Sequence, residues 1–256
     1  MASDHPIGKP FTILDVVSST NNYAMAKVQA QMAAHGATWF AMYQSEGKGQ
    51  RGKSWRAEPG QNIMQSIIIE PDFLSIDNQF LLTVAVSLAC YDFFVKYAID
   101  QVAIKWANDM YWRDRKAGGI LIENILQGKE WKYAVVGIGF NINQTHFPNE
   151  LPNPVSLRQI TGNLFPVTEV GKELCQYIEQ RWQQLKLGMG EQLLAEYNSH
   201  LYKLNEQVQL KLNGAIIKAR VTGVNKQGQL LIYTGQQTAI NFGSVEWVLD
   251  HKSDVR

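Results

Sequence analysis

The sequence predicts an α+β protein, with a larger domain of strands and helices over residues 1–204 and a small β module over residues 205–256. Three observations carry this. Short β-branched and aromatic runs are interspersed with helix-length apolar segments as far as Leu204. Two of the runs are joined through Gln127-Gly-Lys-Glu130 as a hairpin. Beyond Leu204, helical spacing gives way to brief alternating runs divided by Asn213-Gly214, Asn225-Lys-Gln-Gly228 and Thr234-Gly235, the pattern of a small barrel or meander.

In chain order, Phe11-Thr-Ile-Leu-Asp-Val-Val17 has strand composition and stops at Ser18-Ser19-Thr20-Asn21, whose side-chain oxygens suit the free N–H groups of a helix over Tyr23 to Ala33. Thr38 to Tyr43 is a second strand and runs into a Gly-rich basic loop, Gln44 to Trp55. Asn62 to Glu70 is a β-branched strand, and Gln79 to Ala98 a long buried helix. The most apolar stretch, Phe80 to Ile99, is interrupted by Thr83, Ser87, Asp92 and Lys96, which marks a core helix rather than a membrane span. Val102 to Asp109 is a short strand, and Gly119 to Ile125 with Trp131 to Asn143 form the hairpin. An edge in Trp131 to Val136, or in the terminal β module, is available to a partner or a second copy. Glu169 to Leu187 and Glu191 to Leu204 have helical spacing, Glu206 to Leu249 is the β module, and His251 to Arg256 is expected to fray.

Composition removes several classes of function. Among 256 residues, 24 Lys and Arg face 23 Asp and Glu for a formal charge of +1, without the basic excess of a dedicated nucleic-acid binder. Cys90 and Cys175 cannot build a disulfide framework, and no CxxC or Cys/His cluster points to structural zinc. The five histidines are scattered, and no GxSxG nucleophile elbow occurs. The start, MASDHPIGKP, lacks the apolar core of a signal peptide, so a soluble cytoplasmic protein is expected.

Four segments hold residue types suited to chemistry. In Gly47-Lys-Gly-Gln-Arg-Gly-Lys53 three glycines allow close backbone approach, so that N–H groups point at an anion, while Lys48, Arg51 and Lys53 add charge; Trp55 can fold over a ligand ring. The loop is neither a P-loop nor a dinucleotide fingerprint, and many such surface loops bind nothing. Lys105 sits in Val-Ala-Ile-Lys-Trp-Ala and, if buried, needs an anion; a ligand, an ion pair with Asp109 or Glu123, and an exit to water all satisfy that requirement. In Val135-Val-Gly-Ile-Gly-Phe-Asn-Ile-Asn143, strand alternation puts Val136, Ile138, Phe140 and Ile142 on a core face and Gly137, Gly139, Asn141 and Asn143 on the other. That bare face leaves space for a ligand or for a tight packing contact; the two amides favour the ligand. Lys116-Ala-Gly-Gly119 adds a lysine beside flexible backbone.

Cations, glycines and amides without a carboxylate pair or triad suit a reaction in which the substrate supplies the nucleophile and the protein manages negative charge, such as activation of a carboxylate by ATP. Ser19-Thr20-Asn21 with Ala24, Gln44-x-x-Gly-Lys-Gly-Gln-Arg-Gly-Lys-Ser-Trp55, Lys105-Trp-Ala-Asn-Asp109, Lys116-Ala-Gly-Gly-Ile-Leu-Ile-Glu123 and Gly137-Ile-Gly-Phe-Asn-Ile-Asn143 occur in the order seen in biotin protein ligases. The chain resembles that family over Phe11 to Asn143, and more loosely in its C-terminal β module.

The resemblance implies a mixed β-sheet flanked by helices, like that of class II aminoacyl-tRNA synthetases, with an SH3-like barrel behind it. It implies that biotin and ATP, with Mg²⁺, give biotinyl-5′-AMP, and that a lysine of a biotin carboxyl carrier domain then accepts the biotinyl group. Carried over by position, Ser19, Thr20, Asn21 and Gln44 hold the ring end of biotin. The Gly47-Lys48-Gly49-Gln50 segment closes over it, with Gly119 and Gly139 beneath. Lys105 contacts the biotin carboxylate and the α-phosphate and, with Arg51, is the catalytic assignment. Lys53, Trp55, Asn108, Lys116, Asn141 and Asn143 line the nucleotide side. No metal ligand is assigned. Gln50 and Lys53 stand where many relatives carry arginine, weakening bidentate grip on phosphate, Lys48 also replaces a common arginine, and Ala107 replaces a usual proline. The residues ahead of Phe11 are too few for a helix-turn-helix, so operator binding is not expected; a homodimer stays open. The nearest alternative is a lipoate or octanoate ligase or transferase of the same fold, and the alternative from another class is a non-catalytic binding module.

Overall fold

The computed structural model describes residues 5–248 apart from Ala33 and Lys129; the expected fraying of His251 to Arg256 lies outside these. Seven strands form the main sheet: β1 (Phe11–Val17), β2 (Thr38–Gln44), β3 (Asn62–Ile69), β4 (Val102–Lys105), β5 (Asp109–Trp112), β6 (Arg115–Gln127) and β7 (Glu130–Asn141). Their order is β1-β2-β3-β7-β6-β5-β4, with β1 and β2 parallel and the remaining pairs antiparallel, so the sheet is mixed as expected.

The sheet's two faces follow from strand alternation. Val136, Ile138 and Phe140 of β7 and Ile63, Ile67 and Ile69 of β3 face the main core, where helices α2 (Phe80–Ala98) and α4 (Val167–Lys186) cover them. α2 is long and apolar enough to cross a membrane, but most of its side chains are buried in this core. Ile68 and Val135 face the opposite side, with Ala24 of α1 (Thr20–Gln29). Gly137 and Gly139 share that second face with Val135, and there the candidate site lies.

Several elements differ from the sequence reading. The single strand expected over Val102 to Asp109 is a hairpin, β4 and β5, turned at Trp106–Asn108, in which Lys105 pairs with Asp109. The expected edge at Trp131 to Val136 is corrected: Ala134, Val135 and Val136 are paired on both sides, because β7 lies between β3 and β6. A short helix, α3 (Leu157–Thr161), carries a Ser156/Gln159 capping box. Helix α5 (Gly190–Ser199) ends before the expected Leu204, because the next residues join the sheet instead: Ile104 N–H donates to the His200 carbonyl at 2.9 Å, and Tyr202 N–H to the Ile104 carbonyl at 2.9 Å. That addition covers the outer side of β4 and brings Tyr202 near Lys105.

Strands β8 (Gln207–Leu212), β9 (Ala215–Val224), β10 (Leu230–Tyr233), β11 (Gln237–Ile240) and β12 (Val245–Val248) make a second, antiparallel sheet ordered β11-β10-β9-β8-β12. β11 and β12 lie at opposite edges and do not pair with each other among the described residues, so the sheet is open. Leu210, Val221 and Leu230 of this sheet belong to the same apolar core as α2 and α5, so packing runs unbroken across Leu204.

Candidate active site

The polar end of the site grows from the start of α1. Ser19 has extended backbone angles and caps the helix, accepting from Asn22 N–H. The cap turns the next two side chains toward the sheet, where both are buried. Gln44, at the end of β2, accepts from both Thr20 N–H (2.7 Å) and the Thr20 hydroxyl (3.0 Å). Ser66 of β3 donates to Asn21 Oδ1 at 2.6 Å and lies 2.7 Å from the Thr20 hydroxyl. Asn21 Nδ2 in turn donates to Glu123 of β6 at 2.7 Å, and Lys48 stands 3.8 Å from the same carboxylate. Three strands and a helix cap thus fix a continuous hydrogen-bonded row.

The Gly-rich loop folds on itself above this row. Lys48 and Ser54 form a bridge, Gly49 N–H donates to the Lys53 carbonyl (2.7 Å) and Trp55 N–H to the Gly47 carbonyl (2.7 Å). Gly47 is required by space, because a Cβ there would lie 2.4 Å from the Trp55 carbonyl oxygen. Gln50 donates from its side-chain amide to the Ile120 carbonyl at 3.3 Å and pins the loop to β6. Arg51 adopts a left-handed conformation (φ 56°), and its guanidinium lies against Gly243 in the turn between β11 and β12. The loop walls an open cleft of about 900 Å³ with Asn22, Gln44 and Glu123.

The bare strand face is occupied by the protein itself. A Cβ at Gly139 would lie 2.6 Å from the Trp55 ring, and one at Gly137 would lie 2.2 Å from Asn21 Oδ1. The expectation of open ligand space there is corrected. Removing two side chains from β7 lets an indole and an amide rest against its backbone, which leaves the Trp55 indole N–H buried without a partner.

At the other end, Lys105 is 8% exposed, and its amine donates to the Tyr111 hydroxyl at 3.0 Å. The Asp109 opposite it is paired instead with Lys116 at 2.7 Å. No carboxylate lies within ion-pair distance of Lys105 among the described residues. Burial pulls its pKa from 10.5 down to about 8; Asp109 opposes the drop, while Lys116 and Lys53 are near enough to deepen it. Gly119 lies beneath the Asp109–Lys116 pair, where a Cβ would stand 3.1 Å from the carboxylate. Lys105, Lys53 and Lys116 are therefore close enough to act on one another, with Asp109, already paired to Lys116, and the more weakly acting Asp114 as the opposing carboxylates; such an excess of positive charge attracts an anion.

The remaining amides have partners within the protein. Asn108 donates to the Ile120 carbonyl and Asn141 to the Val155 carbonyl, the latter at 3.2 Å. Asn143 bonds Phe165 twice, donating to its carbonyl at 2.7 Å and accepting from its N–H at 3.0 Å. In this structure Asn143 clasps the segment leading into α4. Sequence reading missed Ser66, although a lone serine within the Ile-rich Asn62–Ile69 strand was a signal, and it weighed Glu123 only as an ion-pair partner for Lys105.

A mixed sheet with a capped helix on its glycine face, a folded-over basic loop and a buried lysine awaiting an anion is the fold of the biotin protein ligases. The biotin protein ligase from Aquifex aeolicus in complex with biotin and ATP has a TM-score of 0.78 and 24% identity to this chain, covering 93% of it and 98% of that chain. The chain belongs to the Biotin/lipoate A/B protein ligase family, whose model matches residues 13–141. Among curated relatives, the bifunctional ligase/repressor BirA of Escherichia coli is 29% identical over 235 residues, covering 88% of this chain and 70% of that protein. The biotin–[acetyl-CoA-carboxylase] ligase of Mycobacterium tuberculosis is 25% identical over 241 residues, 91% of this chain and 88% of that one.

Proposed function

We propose that this chain is an ATP-dependent biotin–[acetyl-CoA-carboxylase] ligase. In the first half-reaction the biotin carboxylate oxygen attacks the α-phosphorus of ATP, and pyrophosphate leaves. In the second, a lysine amine of a biotin carboxyl carrier domain attacks the mixed-anhydride carbonyl, an amide bond forms and AMP departs. The single observation that carries the reading is Lys105, a buried amine flanked by Lys53 and Lys116 with no carboxylate of its own. Such a group is costly until an anion arrives, and it then stabilises charge that grows as the carboxylate meets the phosphate.

Each side chain of the site has a task in this scheme. Ser19, Thr20, Asn21 and Gln44, held by Ser66 and Glu123, present fixed polar atoms to the ring of the vitamin. The backbone of Gly47 to Gln50 covers it, while Gly139 seats the Trp55 ring and Gly119 underlies the Asp109–Lys116 pair. Lys53, Trp55, Asn108, Lys116, Asn141 and Asn143 lie on the nucleotide side, with Arg51 at the rim. Mg²⁺ would arrive with the nucleotide, held through its phosphates and water, and no residue of this chain is assigned to it. We place the activity in the cytoplasm and on a protein partner, not on nucleic acid; the balanced charge supports this, and a homodimer is compatible with it.

Biotin-dependent exchange of pyrophosphate into ATP, with mass-spectrometric capture of biotinyl-5′-AMP on the purified protein, tests the proposal. Exchange driven by lipoate or octanoate and not by biotin would replace it with the lipoate reading. No exchange with any of the three acids would favour a non-catalytic module.

A further inference from the structure

The Lys105 ammonium is enclosed by three aromatic rings drawn from three separate parts of the chain. Its Nζ lies 4.5 Å from the centroid of Tyr111 on β5, 5.9 Å from that of Tyr202 after α5, and 5.4 Å from that of Trp247 on β12. The rings also touch one another, with Tyr111–Tyr202 centroids 5.1 Å apart and Tyr202–Trp247 centroids 5.7 Å apart. Tyr202 is held by its hydroxyl, which donates to Asp114 at 2.6 Å. The Trp247 indole N–H is buried without a partner, so no hydrogen bond of its own accounts for where the ring sits. What the ring does have is a cation beside it.

We propose that Trp247, supplied by the C-terminal sheet, is a positioning residue for Lys105: it completes an aromatic cage that keeps the buried amine charged and in place while it has no anionic partner. The electron-rich faces of aromatic rings attract an ammonium without neutralising it. A carboxylate in the same place would pair with the amine and compete with an incoming anion; a ring leaves the charge available. The tail sheet thereby acts on the amine through a side chain. The charged and titratable groups around the amine are Asp109 and Tyr111 on β5, Asp114 in the following turn, Lys116 on β6, Lys53 in the Gly-rich loop and Tyr202. Burial keeps both phenols protonated by pushing their pKa values up, so neither supplies an anion near neutral pH.

This role for Trp247 rests on the ligase reading only for its catalytic consequence; the cage itself is tested without substrate. The full chain is labelled at lysine Cε, and the Lys105 resonance, assigned by its loss in Lys105→Met, is followed by NMR against pH in wild type, Trp247→Leu and Trp247→Phe. Leucine keeps the site dry but removes the ring, so the Lys105 midpoint is expected to fall by about one pH unit, from the usual strength of a desolvated cation–ring contact. Phenylalanine should hold it near the wild-type value. An unchanged midpoint in Trp247→Leu overturns the proposal, and so does a rise, which would mean that the indole serves only to exclude water. Should the leucine variant not fold, Trp247→Met fills the slot without a ring and is read in the same way. Pyrophosphate exchange on the same samples separates the two ideas. Absent exchange in wild type removes the ligase reading and leaves the titration to decide the cage. Exchange whose basic limb moves down with the midpoint in the leucine or methionine variant joins the cage to catalysis.

Discussion

Replacing Lys105 by methionine should produce a protein that is more stable and nearly inactive. The two side chains have similar length and stem, so packing against the rings is largely kept while the charge is removed. In the folded chain the amine titrates near 8 instead of 10.5. At about 1.4 kcal/mol per pH unit, that difference is a folding penalty of about 3 kcal/mol wherever the amine is charged in both states. The sign follows from proton counting. Between pH 8 and 10.5 the unfolded chain binds more protons at this lysine than the folded chain does, so wild-type stability gains from this group as pH rises through that window. Below pH 8 the full penalty stands. Lys105→Met should therefore exceed wild type in urea unfolding at pH 7 by up to about 3 kcal/mol, with the margin shrinking towards pH 10. Its adenylation rate should fall by roughly 10²–10³, the scale of losing one preorganised charge. A variant no more stable than wild type at pH 7 would refute the claim that this amine is buried at a cost.

Gly139→Val should force the Trp55 ring off β7, where a Cβ would already stand 2.6 Å from it; a changed tryptophan emission with weakened biotin or nucleotide binding in calorimetry is expected, and unaltered affinities would mean that this seat is packing alone. Glu123→Ala removes the acceptor that holds the Asn21 amide and should raise the KM for biotin about tenfold with little change in kcat, on the order of one charge-assisted hydrogen bond; steady-state exchange kinetics read the split. Asn143→Ala breaks both bonds to Phe165 and should cost about 2 kcal/mol in urea unfolding; a loss confined to ATP affinity would mean that the amide serves the nucleotide and not the fold.

Much of the frame was legible because it depends on local periodicity. The alternation Val136-Gly137-Ile138-Gly139-Phe140 by itself sorts two faces of β7, and the folded strand has the same two faces. Lys105 stood out as a cation in apolar company, but the sequence left a ligand, an ion pair and an exit to water equally open; the structure buries the amine and gives Asp109 to Lys116 and Glu123 to Lys48. Other features had no local sign. Nothing near Gly139 reveals that Trp55 will rest on it, since the contact depends on how the loop folds back. The hairpin at Trp106–Asn108 was hidden because Val102 to Asp109 has strand composition throughout. Tyr202 and Trp247 reach Lys105 through the strand addition beside β4 and the order of the second sheet, and such long-range pairings leave no spacing to read.

The apolar interior that continues past Leu204 has a consequence for how the molecule comes apart. With Leu210, Val221 and Leu230 in one apolar cluster with residues of α2 and α5, Asn198 of α5 bonded twice to Val224, and Gly228 against Phe80 of α2, the tail cannot be cut away or exchanged as a cassette without uncovering part of the catalytic half. Heating should give one calorimetric transition, and a chain ending at Leu204 should aggregate instead of surviving as a smaller, slower catalyst. Whatever the tail contributes to chemistry, it is first a load-sharing wall of the same building.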